Sequence, residues 1–207
     1  MQEKWGGVEY VLKIRTDWRM YYPYAFGYLK ELLRREEHID GCHKIVISDN
    51  FENRTFDMPP FFSPDFVYFG RVEEMIRFSE IPFNNVPYRN VEEWRNAHNI
   101  DVGPDFYQAC KLGMSPEYYL STEYMKTYGE SGPFFDYEYY IRKLKQYFVF
   151  ISPWDLELIW PKYRIAIQQP RSWHYNNRKY VGTCNMSYPD YLNLISGSIK
   201  MNFDNKK

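Results

Sequence analysis

The first 80 residues alternate short apolar runs with longer amphipathic segments. Residues 8–14 are mostly apolar and rich in β-branched side chains, which predicts a strand largely buried on both faces, as in a parallel or mixed sheet. Runs of the same kind at 44–47 and 65–70 predict two more strands. Residues 24–35 and 72–78 each have one apolar and one charged side, and this period predicts two helices.

The second half of the chain predicts mainly helices. Ser115 is a capping residue, Pro116 follows at the first helical position, and Glu117 adds an acid in the first turn, so a helix is predicted from there to 128. Further elements predicted here are a helix at 91–98, a helix capped by Asp136 and running to 146, a strand at 148–151 and a closing helix at 188–195.

Strands and helices in this order predict an α/β fold with a mixed sheet flanked by helices. We expect one domain over residues 1–207, since the length fits a single core and no linker or repeat divides it. Polar residues follow the predicted strands at their carboxyl ends. Open α/β sheets bind ligands at that edge, because the backbone there turns into loops with polar groups.

Composition narrows the possible partners. With 26 basic and 27 acidic residues the net charge is −1 and no basic block occurs, which argues against nucleic acid. Three cysteines without a CxxC pair argue against zinc or a disulfide framework and fit a reducing cytoplasm. Aromatic residues make up 20%, which fits either an aromatic core or stacking on sugars, and both can hold. The start of the chain has no signal-peptide pattern, and no apolar run is long enough for a membrane span.

The most informative polar stretch follows the first predicted strand. Asp17 could hold a divalent metal that bridges two phosphates of a donor, and Arg15 could add a bidentate phosphate contact. Lys13 could also pair with phosphate, or it could point outward from an edge strand. By spacing alone the signal is weak, since an Asp after a strand is more often part of a turn or a helix cap.

Four blocks resemble one protein family. Residues 13–17, Lys-Ile-Arg-Thr-Asp, are similar to the Lys-x-Arg-Thr-Asp signature of the WavE family of lipopolysaccharide-synthesis glycosyltransferases. Residues 44–49 with 62–70 resemble the following block of that family, residues 116–120 its Pro-Glu-x-Tyr-Leu stretch, and residues 160–163 its aromatic-Lys-Tyr end. The blocks stand in the family's order and extend from residue 8 to about residue 165.

The resemblance implies a GT-A-like fold and transfer of a sugar from a nucleotide-sugar to a lipopolysaccharide or capsule glycan, with Mn²⁺ or Mg²⁺ as cofactor. It implies a donor and metal side at 1–80 and an acceptor side at 81–200. A glycan or glycolipid acceptor implies a cytoplasmic enzyme, with peripheral contact at the inner face of the membrane. The roles it implies are metal binding by Asp17 and His174, donor binding by Lys13 and Arg15, and catalysis by Asp65 and Glu117.

Each of the later residues also has a plain structural interpretation. Asp65 fits a cap after Pro64, Glu117 fits an acid that complements a helix dipole, and His174 fits a polar surface residue. Glu117 as a general base would take the proton of the acceptor hydroxyl. Trp154, Trp160 and Trp173 fit either sugar stacking or core packing.

The resemblance departs from the GT-A pattern at the front. In GT-A enzymes the elements that hold base and ribose precede the metal-binding acid, whereas here about a dozen residues precede Arg15. We therefore expect the N-terminal part of the fold to be missing and this chain alone to bind nucleotide-sugars weakly or not at all. Two alternatives stay open: a non-catalytic carbohydrate-binding or scaffolding remnant, and a metal-independent glycoside hydrolase using Asp65 and Glu117.

Overall fold

The structure, a computed structural model, describes residues 7–40, 43–48, 61, 67–82, 115–159 and 188–198. The strands in these ranges are β1 (Tyr10–Ile14), β2 (Arg19–Met20), β3 (Ile45–Ser48), β4 (Val67–Arg71), β5 (Phe148–Ile151) and β6 (Leu158–Ile159). The helices are α1 (Ala25–Asp40), α2 (Val72–Ser79), α3 (Pro116–Lys126), α4 (Tyr137–Tyr147) and α5 (Tyr188–Ile195), with a 3₁₀ turn at Pro153–Leu156.

Four strands form one mixed sheet in the order β1-β4-β3-β5. β4 is antiparallel to both β1 and β3, and β3 is parallel to β5. β1, β3 and β5 therefore run in the same direction and end at one edge, near Ile14, Ser48 and Ile151, which we call the carboxyl rim. Since β5 comes from the second half of the chain and pairs with β3 from the first, the two halves share one sheet.

Helices cover both faces of the sheet. On one face the Phe69 ring of β4 contacts Phe26 of α1 at a centroid distance of 5.3 Å and stacks on Tyr10. On the other face Phe78 of α2 contacts Tyr68 at 4.7 Å and Tyr124 of α3 at 5.7 Å. Tyr68 and Phe69 are neighbours in β4, and successive residues of a strand point to opposite faces. Each face of the sheet therefore has its own layer of aromatic packing.

The α/β class and the mixed sheet are confirmed, and the predicted elements within the described ranges are present. Ser115 accepts a hydrogen bond from the Tyr118 N–H, and Asp136 accepts one from the Tyr139 N–H at 2.7 Å, so both predicted caps are confirmed. α1 continues five residues beyond the predicted end at 35, because its acidic last turns are buried by basic side chains from other elements. The predicted helix at 91–98 lies outside the described residues.

One expectation about the sheet is wrong. The first strand was predicted to be buried on both faces, yet only Tyr10 is fully buried and the other four residues of β1 are half-buried. The reason is position: β1 is at the edge of the sheet, beside β4. Its sequence resembles that of a central strand because it is apolar, and the order of strands depends on pairing between distant parts of the chain.

Buried carboxylates are paired throughout the described part of the fold. Glu36 of α1 is 3.4 Å from the Lys44 ammonium, and both side chains are almost completely buried. Glu74 of α2 accepts hydrogen bonds from the hydroxyls of Tyr124, at 2.6 Å, and Tyr128. Tyrosine hydroxyls thus satisfy charges that would otherwise be costly inside the core. This use of tyrosine, together with aromatic packing, accounts for part of the high aromatic content.

Candidate functional site

A short turn at the carboxyl rim carries Arg15 and Asp17, two of the predicted site residues. β1 ends at Ile14, and the N–H of Trp18 donates to the Arg15 carbonyl at 3.1 Å to close the turn. The Trp18 side chain is buried and anchors this turn on the core. After it, β2 pairs with β6, which follows β5, so the chain segments leaving two strands of the sheet are joined at this edge.

Arg15 and Asp17 form a bidentate ion pair within this turn. Arg15 Nε donates to Asp17 Oδ1 at 2.9 Å, and Arg15 Nη2 donates to Oδ2 at 2.8 Å. Their side chains are 33% and 37% exposed, so solvent and ligands reach both groups. Ion pairs this exposed contribute little to stability. The pair therefore fixes the orientation of an accessible carboxylate and an accessible guanidinium. A ligand that separates the two groups has to overcome only a small interaction energy.

The chemistry of Asp17 fits a divalent metal bound together with a diphosphate. Mg²⁺ commonly takes one or two protein carboxylates and completes its octahedron with phosphate oxygens and water. Among the residues that the structure describes, no group of three or more His, Cys, Asp or Glu side chains is placed to hold a metal alone. Within the described part of the chain Asp17 would be the protein ligand, and the Arg15 guanidinium beside it would bind phosphate.

Lys13 lies two residues before Arg15 on β1, and its side chain packs against the neighbouring strand β4. Its ammonium lies 4.9 Å from the centre of the Tyr68 ring, on the cross-strand neighbour in β4. This is the face that carries α2, since Phe78 also contacts Tyr68. Lys13 is half-buried on an edge strand, and its predicted contact with phosphate stays a prediction.

Glu117 lies in the first turn of α3, as predicted. Its carboxylate accepts a hydrogen bond from the Ser115 hydroxyl at 3.0 Å, next to the capped helix start. The Tyr119 hydroxyl donates to the Pro82 carbonyl at 3.0 Å, so α3 begins beside the end of α2. These contacts describe a helix-terminal acid, and the proposed role of general base stays a prediction.

Two predicted site residues, Asp65 and His174, lie outside the described residues, as do Asp49, Trp160 and Trp173. The register of the sheet bears on Asp65 indirectly. Val67, the first residue of β4, pairs with Ile14, the last residue of β1. The end of β1 and the start of β4 are therefore neighbours at the carboxyl rim.

Asp155, a carboxylate in the 3₁₀ turn that follows β5, was not predicted from the sequence. Asp155 accepts a hydrogen bond from the Ser152 N–H at 3.1 Å, while its own N–H donates to the Ser152 carbonyl at 3.0 Å. Burial and the negative charge of Asp155 raise the pKa of Tyr28, on α1, to about 12. The signal was present in the sequence, because Ser-x-x-Asp is the pattern of a reciprocal helix cap.

Comparisons with known proteins give no match, either to a protein-family model, to a curated protein or to a solved structure. In the described ranges no helix is both long and apolar enough to cross a membrane.

Proposed function

We propose that this protein is a metal-dependent glycosyltransferase, or the portion of one that includes the diphosphate site, acting on a nucleotide-sugar and a surface glycan of the lipopolysaccharide or capsule type. The observation that supports this most is the accessible Arg15–Asp17 pair at the carboxyl rim. The Asp17 carboxylate suits the positive metal of a metal–diphosphate group, and the Arg15 guanidinium suits its negative phosphates. The GT-A-like form of the fold is part of this proposal.

In the proposed mechanism Asp17 would hold the metal and Arg15 would bind a phosphate oxygen of the donor. The chemistry supplied by such a metal would be neutralisation of charge on the departing diphosphate. Arg15 supports the same charge from the protein side, and stabilising it is where most of the rate enhancement should arise. Lys13 adds positive charge beneath the turn. Glu117 or Asp65 would take the proton from the acceptor hydroxyl, as an inverting transferase requires one such base.

Calorimetry with UDP-, GDP- and CDP-sugars in the presence of Mn²⁺ tests the donor site. We expect only weak binding of these donors, dependent on manganese and carried by the diphosphate group, and we expect its loss in Asp17→Asn, because the amide keeps the shape of the side chain but removes its charge. Glu123→Gln is the matched control: Glu123 is also a partly exposed, ion-paired carboxylate, but it lies on α3 and pairs with Lys126.

Equal heats for wild type and Asp17→Asn would contradict the assignment. Hydrolysis of a glycoside that proceeds fully after metal removal would point instead to the hydrolase alternative, which needs two carboxylates and no metal. Binding of glycan without any metal-dependent donor binding would favour the non-catalytic alternative.

A further inference from the structure

The first turn of α1 has backbone donors that its own segment does not cap. The Ala25 N–H donates to the Tyr22 carbonyl, but within the described part of the chain no backbone acceptor is recorded for the N–H groups of Phe26 and Gly27. A capping side chain normally accepts from these positions. Residues 20–27 contain no Asp, Asn, Ser or Thr, and the first turn contains no acid. These two donors therefore stand at the positive end of the helix dipole without a local acceptor.

Ser48, the last residue of β3, carries an unsatisfied hydroxyl at the carboxyl rim. Its side chain is completely buried, and no hydrogen-bond partner is recorded for its Oγ in the part of the chain that the structure describes. Buried polar groups are nearly always hydrogen-bonded, because leaving one unsatisfied costs free energy. A bound ion or ligand oxygen is one of the few explanations for such a group.

The Ser48 hydroxyl lies on the face of the sheet that carries α1. Val46 of β3 pairs with Phe69 of β4, and the Phe69 ring contacts Phe26 at the start of α1. Paired residues of neighbouring strands share a face, and so do residues two apart in one strand. Ser48 therefore points to the same side of the sheet as Val46 and Phe69, which is the side of α1.

The first turn of α1 is also level with Ser48 along the strand. The aromatic contact just described involves the start of α1, whereas Glu36, near its end, lies 3.4 Å from Lys44, the residue before β3. α1 therefore runs antiparallel to β3. From Glu36 back to Gly27 the helix covers about 13 Å, and from Lys44 forward to Ser48 the strand covers about 13 Å as well. The buried hydroxyl thus points towards the end of the helix that carries the uncapped donors.

Donors of this kind suit a phosphate group. A phosphate offers several acceptor oxygens and a negative charge, and helix N-termini bind such anions through backbone N–H groups and the helix dipole. The place in the fold fits as well, since β4 alone separates β1 from β3 and their ends at the rim are about 10 Å apart. Arg15, the predicted phosphate contact, follows the end of β1 directly.

We propose that the first turn of α1 and the Ser48 hydroxyl form a phosphate-binding site that requires no metal. The N–H groups of Phe26 and Gly27 and the Oγ of Ser48 donate to the phosphate oxygens. Two substrates offer this chemistry, the diphosphate of the donor and a phosphate substituent on the acceptor glycan. This link to a substrate rests on the proposed glycosyltransferase function, whereas the site itself does not.

Titration of the ¹⁵N-labelled chain with inorganic phosphate, in the absence of metal, tests the site. The amide resonances of Phe26 and Gly27 should shift in a saturable way. Ser48→Ala should weaken binding about tenfold, a change that corresponds to about 1.4 kcal/mol. The same variant should leave the melting temperature unchanged or raise it, because it removes a buried hydroxyl that the fold leaves unsatisfied. A hydroxyl with a purely structural role would give the opposite result, a lower melting temperature with unchanged binding.

Tyr24→Asp provides a second variant whose effect on binding a folding defect cannot explain. Tyr24 directly precedes α1 and is 72% exposed, and aspartate is a favoured residue at this position. The new carboxylate should accept from the N–H groups of the first turn and repel phosphate, so binding should be lost while the melting temperature rises. Val8→Asp is the matched control, because it adds the same charge at an exposed residue just before β1, away from the carboxyl rim. That control should bind like wild type.

Three results would overturn the proposal: no phosphate-dependent shift in the wild-type chain, shifts that leave Phe26 and Gly27 unchanged, or equal binding by wild type, Ser48→Ala and Tyr24→Asp. Competition between phosphate and manganese pyrophosphate would assign the site to the donor, and simultaneous binding of the two would assign it to the acceptor. Asp17→Asn should keep the phosphate shifts. Phosphate binding without manganese binding would refute the metal site and leave this one standing, so the two proposals fail separately.

Discussion

Glu130, in the segment between α3 and α4, is the acceptor for three side chains of α4. Lys143 pairs with it, and the hydroxyls of Tyr139 and Tyr147 donate to it at 3.0 and 2.8 Å. Burial raises the pKa of Glu130, but the hydrogen bonds from Lys143, Tyr147 and Tyr139 outweigh burial and hold that pKa below its usual value of 4.5. The folded state therefore stabilises the ionised Glu130 carboxylate more than the unfolded chain does.

This shift predicts a pH-dependent effect of Glu130→Gln. A lowered folded-state pKa contributes stability that is present above 4.5 and is lost as the pH falls through the folded-state value. At neutral pH the variant should lose about 2 kcal/mol of unfolding free energy, the range for hydrogen bonds to a charged group. Urea unfolding at neutral and strongly acid pH checks this. A variant that is equally destabilised at both pH values would contradict the account.

At the scale of elements, the Tyr188 side chain connects α5 to α1. Tyr188 donates to the Glu36 carboxylate and accepts from Arg35. Glu36 also pairs with Lys44, which precedes β3, so the cluster connects three elements that are distant in the sequence. Removing one partner from a buried charge costs more than an ordinary hydrogen bond contributes.

Tyr188→Phe tests this attachment. We expect a loss of about 1–3 kcal/mol, because the buried Glu36 carboxylate loses a donor while the ring packing remains. Hydrogen exchange should accelerate more in α5 than in α1, since α5 depends on the lost contact. Tyr21→Phe, at an exposed tyrosine, is the control and should change neither quantity. Uniform acceleration in both helices would show that the hydroxyl has no local anchoring role.

The elements also show which features a sequence can predict. The starts of α3 and α4 were predictable because Ser115 and Asp136 act within one helical turn. The extension of α1 was not, because Glu36 and Glu37 are buried by Lys44 and Arg71 from other elements.

The candidate site shows the same difference between local signals and contacts formed on folding. Asp17 was found at the end of β1 because a strand end is a local signal. Its bidentate pairing with Arg15 depends on how the chain folds, and the motif alone did not predict it.

At the scale of the whole molecule, tyrosines link the packing to pH. Burial is the first cause that raises the pKa of Tyr28, Tyr128 and Tyr188 to about 12, from a usual value of 10.0. Neighbouring carboxylates add to this, Asp155 for Tyr28, Glu74 for Tyr128 and Glu36 for Tyr188. All three hydroxyls lie where separate elements meet.

Alkaline titration should therefore unfold the protein. A tyrosine whose folded-state pKa is raised contributes stability fully below 10.0, and this contribution is lost as the pH rises towards 12. Tyrosinate absorbance and circular dichroism, followed together, should show buried tyrosines ionising with the loss of structure. Complete tyrosine ionisation near 10.0 with the fold retained would contradict the burial of these hydroxyls.

The central claim, a diphosphate and metal site at the Arg15–Asp17 turn, is tested most directly by paramagnetic broadening in ¹⁵N-labelled protein. On titration with Mn²⁺ and pyrophosphate, the amide resonances of residues 15–18 should broaden first. The same amides should be unaffected in Asp17→Asn and broadened as in wild type in Glu123→Gln. Broadening centred on another part of the molecule, with residues 15–18 unchanged, would contradict the account.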